Sequence, residues 1–287
     1  MASVKVRYLI FDVESVADGD LISKVRYPGD SLSPAEAVRR YQQERLEKYE
    51  SDFIPYSYQV PAAIVVAKVA PTYELLDLVA LDEPQLRPHI LTENFWRGWE
   101  MYGRPTLVSF NGRNFDLPLL ELAAFRFGIS LGSWLDMHKP NYQQLRYRYN
   151  LDSQLDLLEV LTNFGAVRFS GGLNLAASLL GKPGKIDVQG HMVQAMYEEG
   201  KTGEITQYCR CDVLDTYFVF LRTSVLLGQL SLEREQEIVA QTKHWLEARA
   251  DQVPAFRQYL DHWGDWVNPW QPGEYPREAP RSEETAN

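Results

Sequence analysis

Apolar residues at the beginning of the chain first alternate with polar residues and then become continuous. This pattern covers residues 4–13, VKVRYLIFDV, and predicts a buried strand that ends at an acidic turn. Two more apolar runs, at 62–69 and 75–81, predict a hairpin because the connection between them is short. A short apolar run at 106–110 predicts a fourth strand.

Apolar residues spaced three or four positions apart predict the helices. A helix at about 34–51 has the clearest start, at SPAE, residues 33–36. There the serine can cap free amides, the proline fits the first turn and the glutamate completes a capping box. A helix at 116–127 closes at Gly128, a residue suited to the position after a helix. No strand is predicted after residue 152. The remaining predicted helices lie at 88–102, 152–164, 173–180, 188–198, 203–227, 232–249 and 254–264.

Changes in composition divide the chain into three parts. Residues 15–60 are charged, rich in tyrosine and interrupted by prolines, and we interpret them as a helical insertion into the first part, 1–230. A helical extension at 231–267 follows. The last part, 268–287, contains four prolines and little to bury, which is typical of a mobile tail.

The overall composition limits the class of protein. Of the 287 residues, 45% are apolar, which is enough for a large core and excludes disorder over most of the chain. The 29 basic and 39 acidic residues give a net charge of −10, which argues against a protein that covers nucleic acid with a wide basic surface. The two cysteines stand too close for a disulfide framework, and we find neither a signal peptide nor an apolar run of about 18 residues. We therefore expect a soluble cytoplasmic protein with no membrane segment.

Acidic side chains at the end of the first predicted strand are the first candidates for chemistry. Asp12 and Glu14 are two residues apart, so they project from the same face of a strand. Two adjacent carboxylates repel each other unless a cation lies between them. A solvated strand end is the alternative interpretation.

Two further elements carry acids. Asp116 follows the fourth strand and a glycine-containing loop, at the edge of the sheet where functional groups gather, although it could serve only as a helix cap. In the long predicted helix, Tyr208 and Asp212 are four residues apart and share one face, with Asp215 near it. An ordinary half-buried tyrosine beside a solvated acid would have the same spacing.

The three elements occur in the order DxE on a strand, NxxxFD, and YxxxD on a helix. Together they resemble the three exonuclease motifs of the DEDD superfamily, and more closely those of stand-alone 3′→5′ exonucleases related to the proofreading domain of family B DNA polymerases. The resemblance lies within residues 4–225, in FDVES, TLVSFNGRNFDLPLL, GGLNLAASLLGKPGK and YCRCDVLDTYFVFLR. It implies an α/β, ribonuclease-H-like (DnaQ-like) fold: a mixed five-stranded sheet with its first three strands antiparallel, flanked by helices. The exonuclease domain would be residues 1–230, with a C-terminal helical extension after it.

The resemblance also implies an activity and the residues that perform it. The four acids that match the metal-binding positions are Asp12, Glu14, Asp116 and Asp212. The implied cofactors are two Mg²⁺ or Mn²⁺ ions. Tyr208 matches the tyrosine that positions the attacking water, which indicates the tyrosine subclass. The implied reaction is hydrolysis of phosphodiester bonds at single-stranded 3′ ends of DNA or RNA, with release of nucleoside 5′-monophosphates. The alternatives are a non-catalytic nucleic-acid-binding module on the same fold and a phosphodiesterase acting on small nucleotides.

Four further residues are predicted to contact the substrate. The resemblance places Asn111 near the terminal nucleotide, although an asparagine that fixes a turn is an equal alternative. Phe115, in the same motif, is also predicted to bind substrate. Arg146 and Arg148 lie in HKPNYQQLRYRY, residues 138–149, where basic and stacking side chains together suit single-stranded nucleic acid. A loop packed through its tyrosines would have the same composition.

Overall fold

A five-stranded sheet forms the centre of the protein. The computed structural model describes residues 5–184 and 192–270. The strands are β1 (Tyr8–Ala17), β2 (Gln59–Val69), β3 (Leu75–Ala80), β4 (Thr106–Ser109) and β5 (Gln154–Asp156). Their order across the sheet is β3-β2-β1-β4-β5; the first three strands of the chain pair antiparallel, and β4 and β5 run parallel to β1. This confirms the predicted mixed sheet of a ribonuclease-H-like fold.

Helices cover both faces of the sheet. Those before β4 are α1 (Gly19–Arg26), α2 (Pro34–Tyr49) and α3 (Pro88–Met101). Those after β4 are α4 (Asp116–Phe127), α5 (Leu157–Leu161), α6 (Gly172–Ser178), α7 (Val193–Glu198), α8 (Thr202–Leu226), α9 (Leu232–Glu247) and α10 (Pro254–Asp261). The long α8 is buried on nearly every side, because it packs against β1 and β2 as well as against α9 and α10.

The side chains of β1 alternate between two apolar cores. Ile10 packs with Val213 and other residues of α8, whereas Phe11 packs in a separate cluster with α3 and α4. Because the side chains alternate, Asp12 and Glu14 leave the strand on the same face as Ile10, toward α8.

Helix ends in the first half of the chain follow from local signals. The capping box of α2 is complete: the Glu36 N–H donates to Ser33 Oγ at 3.4 Å, and the Ser33 N–H donates to Glu36 Oε2 at 2.8 Å. Gly128 ends α4 with a φ of 70°, as predicted. The insertion also contains α1, which the pattern did not predict; its start depends on Asp18, which accepts the Leu21 N–H at 3.0 Å.

Two strand predictions were wrong. β1 continues beyond its acidic residues, past a bulge between Glu14 and Ser15, because residues 15–17 still pair with β2. The helix predicted at 152–164 begins only at Leu157, since the three residues before it form β5 and pair with β4. A strand of three residues is too short to show a periodicity in the sequence. Its extended conformation depends instead on pairing with the neighbouring strand.

The C-terminal helices share a core with the sheet. Ile238 of α9 and Tyr259 of α10 belong to the same apolar cluster as Ile10. The chain after α10 is held against the turn after α6, where the Lys182 ammonium lies 3.7 Å from the ring centroid of Trp263. The proposed boundary between residues 230 and 231 stays a prediction.

Two predicted segments lie partly outside the described residues. Of the helix predicted at 188–198 the structure describes α7, and of the tail predicted at 268–287 it describes residues 268–270. Within the described ranges, no helix combines the length and the apolar character needed to cross a membrane.

Candidate active site

Asp12 and Glu14 lie side by side in β1. Their backbones pair with β2, Asp12 opposite Val65 and Glu14 opposite Ala63. Each offers a carboxylate oxygen within 4.8 Å of the other and of the Cys209 sulfur of α8. Cys209 Sγ lies 3.7 Å from Asp12 Oδ2. The two acids therefore share one face of the strand, and α8 covers that face.

α8 brings a phenol and a carboxylate to the same place. The Tyr208 hydroxyl donates a hydrogen bond to the Asp212 carboxylate one turn along the helix, and each residue is 8% exposed. Burial first, and then the charges of Asp212 and of the two β1 acids, raise the pKa of Tyr208 above its usual value of 10. The phenol is therefore protonated at neutral pH and lies close to three carboxylates.

Asp116 approaches β1 from the side of β4. The two strands pair only as far as Ile10 and Val108, so they separate before the acids of β1. In this gap the Val13 N–H donates a hydrogen bond to the buried Asp116 carboxylate. Val13 lies between the two acids of β1 in the chain, so Asp116 contacts the backbone of β1 at this position.

An acid that the sequence pattern did not reveal fixes the loop before Asp116. Asp156, the last residue of β5, accepts the N–H of Asn111 at 2.9 Å and the N–H of Arg113 at 3.0 Å. Burial raises the pKa of Asp156, and burial together with the charge of Asp156 raises the pKa of Asp116. Asp156 also caps α5 by accepting the Leu158 N–H at 3.0 Å. The one sequence signal that could have revealed this residue is therefore an aspartate directly before a helix.

The turn in this loop requires glycine at position 112. A Cβ on Gly112 would overlap the Ser109 side chain and lie 3.1 Å from Asp116 Oδ2. Asn111 has a φ of 67°, in the left-handed region that asparagine tolerates better than most residues. Asn111 and Phe115, both predicted to bind substrate, therefore flank a tightly constrained turn beside Asp116.

The two arginines predicted to contact the substrate form ion pairs within the protein. Arg146 donates to both carboxylate oxygens of Glu121, at 2.6 and 2.8 Å. Arg148 lies 2.8 Å from Glu159 and donates to the Phe164 carbonyl at 3.0 Å. Their contact with substrate stays a prediction. The side chains that the fold gathers around β1 are those of Asp12, Glu14, Asp116, Tyr208 and Asp212.

Asp215, almost one turn beyond Asp212, is buried against the C-terminal extension. Tyr259 of α10 donates its hydroxyl to Asp215 Oδ1 at 2.6 Å. Burial raises the pKa of Asp215 to about 8, although hydrogen bonds from Tyr259 and from the Gly184 N–H favour the ionised form. The folded protein therefore keeps a proton on Asp215 over a pH range in which the unfolded chain has lost it.

Replacing Asp215 by asparagine is expected to remove a pH-dependent loss of stability. Below about pH 4 the carboxyl is protonated in both states; from there to about pH 8 only the unfolded chain ionises, so wild-type stability falls as the pH rises. Asparagine keeps an acceptor for Tyr259 and does not titrate. Between pH 4 and pH 8 we expect the wild type to lose on the order of 2 kcal/mol more of its free energy of unfolding than the variant loses.

Urea unfolding at a series of pH values, with a chelator present, measures this difference. Asp261→Asn, at an exposed acid of α10, is the matched control and should follow the wild-type curve. Parallel curves for the wild type and Asp215→Asn would contradict the assignment.

The part of the chain that contains most of these residues matches a known protein family. The profile of one family matches residues 51–263, more than half of the chain, and its description is "Predicted 3'-5' exonuclease related to the exonuclease domain of PolB". The protein belongs to this family. The matched part of the chain includes Asp116, Tyr208 and Asp212, whereas β1 precedes it. Nucleic acid is the class of substrate that membership implies.

Other comparisons add little to the family assignment. No curated protein matches this chain in sequence. A solved structure, the family B DNA polymerase from the hyperthermophilic archaeon Pyrobaculum calidifontis, is similar at 13% sequence identity with a TM-score of 0.49. The similarity covers 86% of this chain and 29% of the polymerase chain, so this chain spans less than a third of that polymerase's length.

Proposed function

We propose that the protein is a divalent-metal-dependent 3′→5′ exonuclease that removes nucleoside 5′-monophosphates from single-stranded ends. One observation carries this proposal: α8 brings Tyr208 and Asp212 against Asp12 and Glu14 of β1. The contact of Asp116 with the Val13 N–H, between these two acids in the chain, supports adding it as the fourth acid of the site.

The chemistry of these groups fits Mg²⁺ or Mn²⁺. Hard divalent cations prefer oxygen ligands, and closely spaced carboxylates are costly without a cation between them. The Cys209 sulfur also lies near the two acids of β1, but burial and the neighbouring negative charges raise the pKa of its thiol. It therefore stays protonated and is a poor ligand for such ions.

The carboxylates would hold two ions in this proposal. Those that would do so are Asp12, Glu14, Asp116 and Asp212. When bound, two divalent ions lower the pKa of a bound water and neutralise the charge that develops on the phosphate and the departing oxygen.

Tyr208 would orient the attacking water. With its pKa raised by burial and by nearby carboxylates, the phenol cannot accept a proton at neutral pH. Its bond to Asp212 fixes the direction of the hydroxyl. Because most of the acids and Tyr208 are less than 10% exposed, only a small part of their surface is open to a phosphodiester. This supports an unpaired strand as the substrate.

A labelled-oligonucleotide assay tests the proposal. With a single-stranded 20-mer labelled at its 5′ end, we expect fragments that shorten stepwise from the 3′ end and a soluble product that is the nucleoside 5′-monophosphate. EDTA should stop the reaction, and excess Mg²⁺ or Mn²⁺ should restore it, because the acids need cations to bind the phosphate. DNA and RNA 20-mers are assayed in parallel.

Three other outcomes would replace the proposal. Binding of the strand without cleavage in Mn²⁺ would indicate a non-catalytic module. Cleavage of dinucleotides but not of the 20-mer would indicate a small-nucleotide phosphodiesterase. Internal fragments at early times would indicate an endonuclease.

A further inference from the structure

The helical insertion contains an exposed phenylalanine, Phe53, in the segment that follows α2. After α2, Glu50 turns the chain with a φ of 55°, and the chain then leads toward β2. Ile54 is 4% exposed and belongs to the small core of the insertion, whereas Phe53 is 53% exposed. Ile54 therefore anchors this segment, and the ring of its neighbour Phe53 lies at the surface.

The Phe53 ring lies against the loop of the candidate active site. Its centroid is 5.8 Å from that of Phe115, with an angle of 53° between the ring planes. Phe115 directly precedes Asp116, whose carboxylate contacts the backbone of β1. The insertion therefore extends to the edge of the site.

Arg45 adjoins Phe53 and links it to a second ring and a second cation at the end of α2. Arg45 Nε donates to the Phe53 carbonyl at 3.1 Å, and the Arg45 guanidinium lies 4.3 Å from the ring centroid of Tyr49, which is 53% exposed. Lys48 Nζ lies 5.1 Å from the same centroid. We call Arg45, Lys48, Tyr49 and Phe53 the insertion platform.

The acids of α2 near the platform have other partners. Glu44 lies 3.3 Å from Arg26 and 3.5 Å from Arg40. Glu47 accepts a hydrogen bond from Gln43 at 2.7 Å. Residues 44–53 contain two cations and four acids, so this segment does not attract a polyanion by net charge, and the Arg45 and Lys48 side chains would act on phosphates only by direct contact.

We propose that the insertion platform stacks the bases upstream of the 3′-terminal nucleotide. This deepens the proposed function and rests on it. Exposed aromatic faces stack on any unpaired base, and adjacent cations attract the phosphates that link the bases. A strand whose terminal phosphodiester lay at the carboxylates would pass Phe115 and then Phe53. The preferred substrate is therefore a single strand of several nucleotides rather than a dinucleotide.

The test combines a change in the protein with a change in the substrate. Phe53→Ala is assayed on a single-stranded 10-mer and on the same 10-mer with abasic sites at the second to fourth nucleotides from the 3′ end. On the intact strand we expect kcat/KM to fall about tenfold, mainly through KM, because one stacking contact is lost. On the abasic strand we expect little further loss, because the bases that the ring would stack are already absent.

Two other variants sharpen the comparison. Phe53→Trp keeps a stacking ring and should restore activity on the intact strand. Phe125→Ala removes a ring that is 84% exposed near the end of α4 and should behave as the wild type. An equal loss by Phe53→Ala on both strands, or no loss on either, would overturn the proposal.

A binding measurement separates this proposal from the proposed function. The dissociation constants of both 10-mers are measured by fluorescence anisotropy with the wild type and with Phe53→Ala, under conditions without turnover. If the wild type cleaves no strand, the proposed exonuclease activity fails, yet weaker binding by Phe53→Ala of the intact strand alone would still support base stacking. Equal binding of both strands by both proteins would overturn the stacking proposal. It would indicate that the insertion platform binds a protein instead.

Discussion

Replacing Asp12 by asparagine is expected to lower kcat by about 10³-fold or more, which corresponds to at least roughly 4 kcal/mol in the activation barrier. Asp12 lies with Glu14 and Cys209 in one cluster, and its charge acts on Tyr208. An amide oxygen is a much weaker ligand for Mg²⁺ than a carboxylate oxygen, so the variant should bind and position the ions poorly.

The fold should survive the change from Asp12 to asparagine. The amide has the size of the carboxylate, and loss of one of two adjacent charges reduces repulsion in β1, so the melting temperature should be equal or higher. Single-turnover rates across a Mg²⁺ titration measure the loss, and circular dichroism confirms the fold. Asp261→Asn is the control for a general effect of charge.

Asp212→Asn gives an independent check from α8. We expect a similar loss, and the double variant with Asp12→Asn should lose little more than either single variant, because both residues act through the same ions. Full activity in either single variant would exclude the proposed roles of these acids.

Replacing Tyr208 by phenylalanine is expected to lower kcat by about 10²-fold, because one donor that orients a reacting group is lost. The metal dependence should stay unchanged, since the carboxylates remain. Because the pKa of Tyr208 is raised above its usual value of 10, the phenol does not titrate near neutral pH. The pH–rate profile of the variant should therefore keep the wild-type shape below pH 10.

Tyr217→Phe is the matched control for this prediction. Tyr217 is buried in the same helix, and its hydroxyl donates to the Tyr73 carbonyl at 2.9 Å, away from the acids of β1. Its loss should cost about 1 kcal/mol of stability and leave the rate unchanged. If Tyr208→Phe instead removed an ionisation from the pH–rate profile near neutrality, the tyrosine would be a base and the orienting role would be wrong.

The positions of four of these residues follow from two periodicities. Alternation along a strand puts Asp12 and Glu14 on one face, and a spacing of four in a helix does the same for Tyr208 and Asp212. That the two pairs would meet came from the resemblance to known exonucleases. For Asp116, its position after the fourth predicted strand places it at the same edge of the sheet as the acids of β1. Its contact with the Val13 N–H depends on where β1 and β4 separate.

The features that sequence reasoning missed depend on contacts between distant residues. β5 is a strand only because it pairs with β4, and Asp156 acts on the loop at Asn111, far before it in the chain. The contact of Phe53 with Phe115 joins two loops whose local patterns carry no sign of each other. The Cys209 thiol beside Asp12 is likewise a product of how α8 packs on the sheet.

The position of Asp12 and Glu14 within a paired strand determines how the site responds to heat. β1 is the central strand of the sheet, and the buried α8 covers it. Such central elements open only in fluctuations that approach global unfolding, whereas loops and chain ends open at little cost in free energy. The spacing of the acids is therefore set before substrate arrives, and no binding free energy is spent on assembling them. On heating, these two carboxylates should keep their arrangement until the whole sheet melts, so the loss of activity and the cooperative loss of structure should occur at the same temperature.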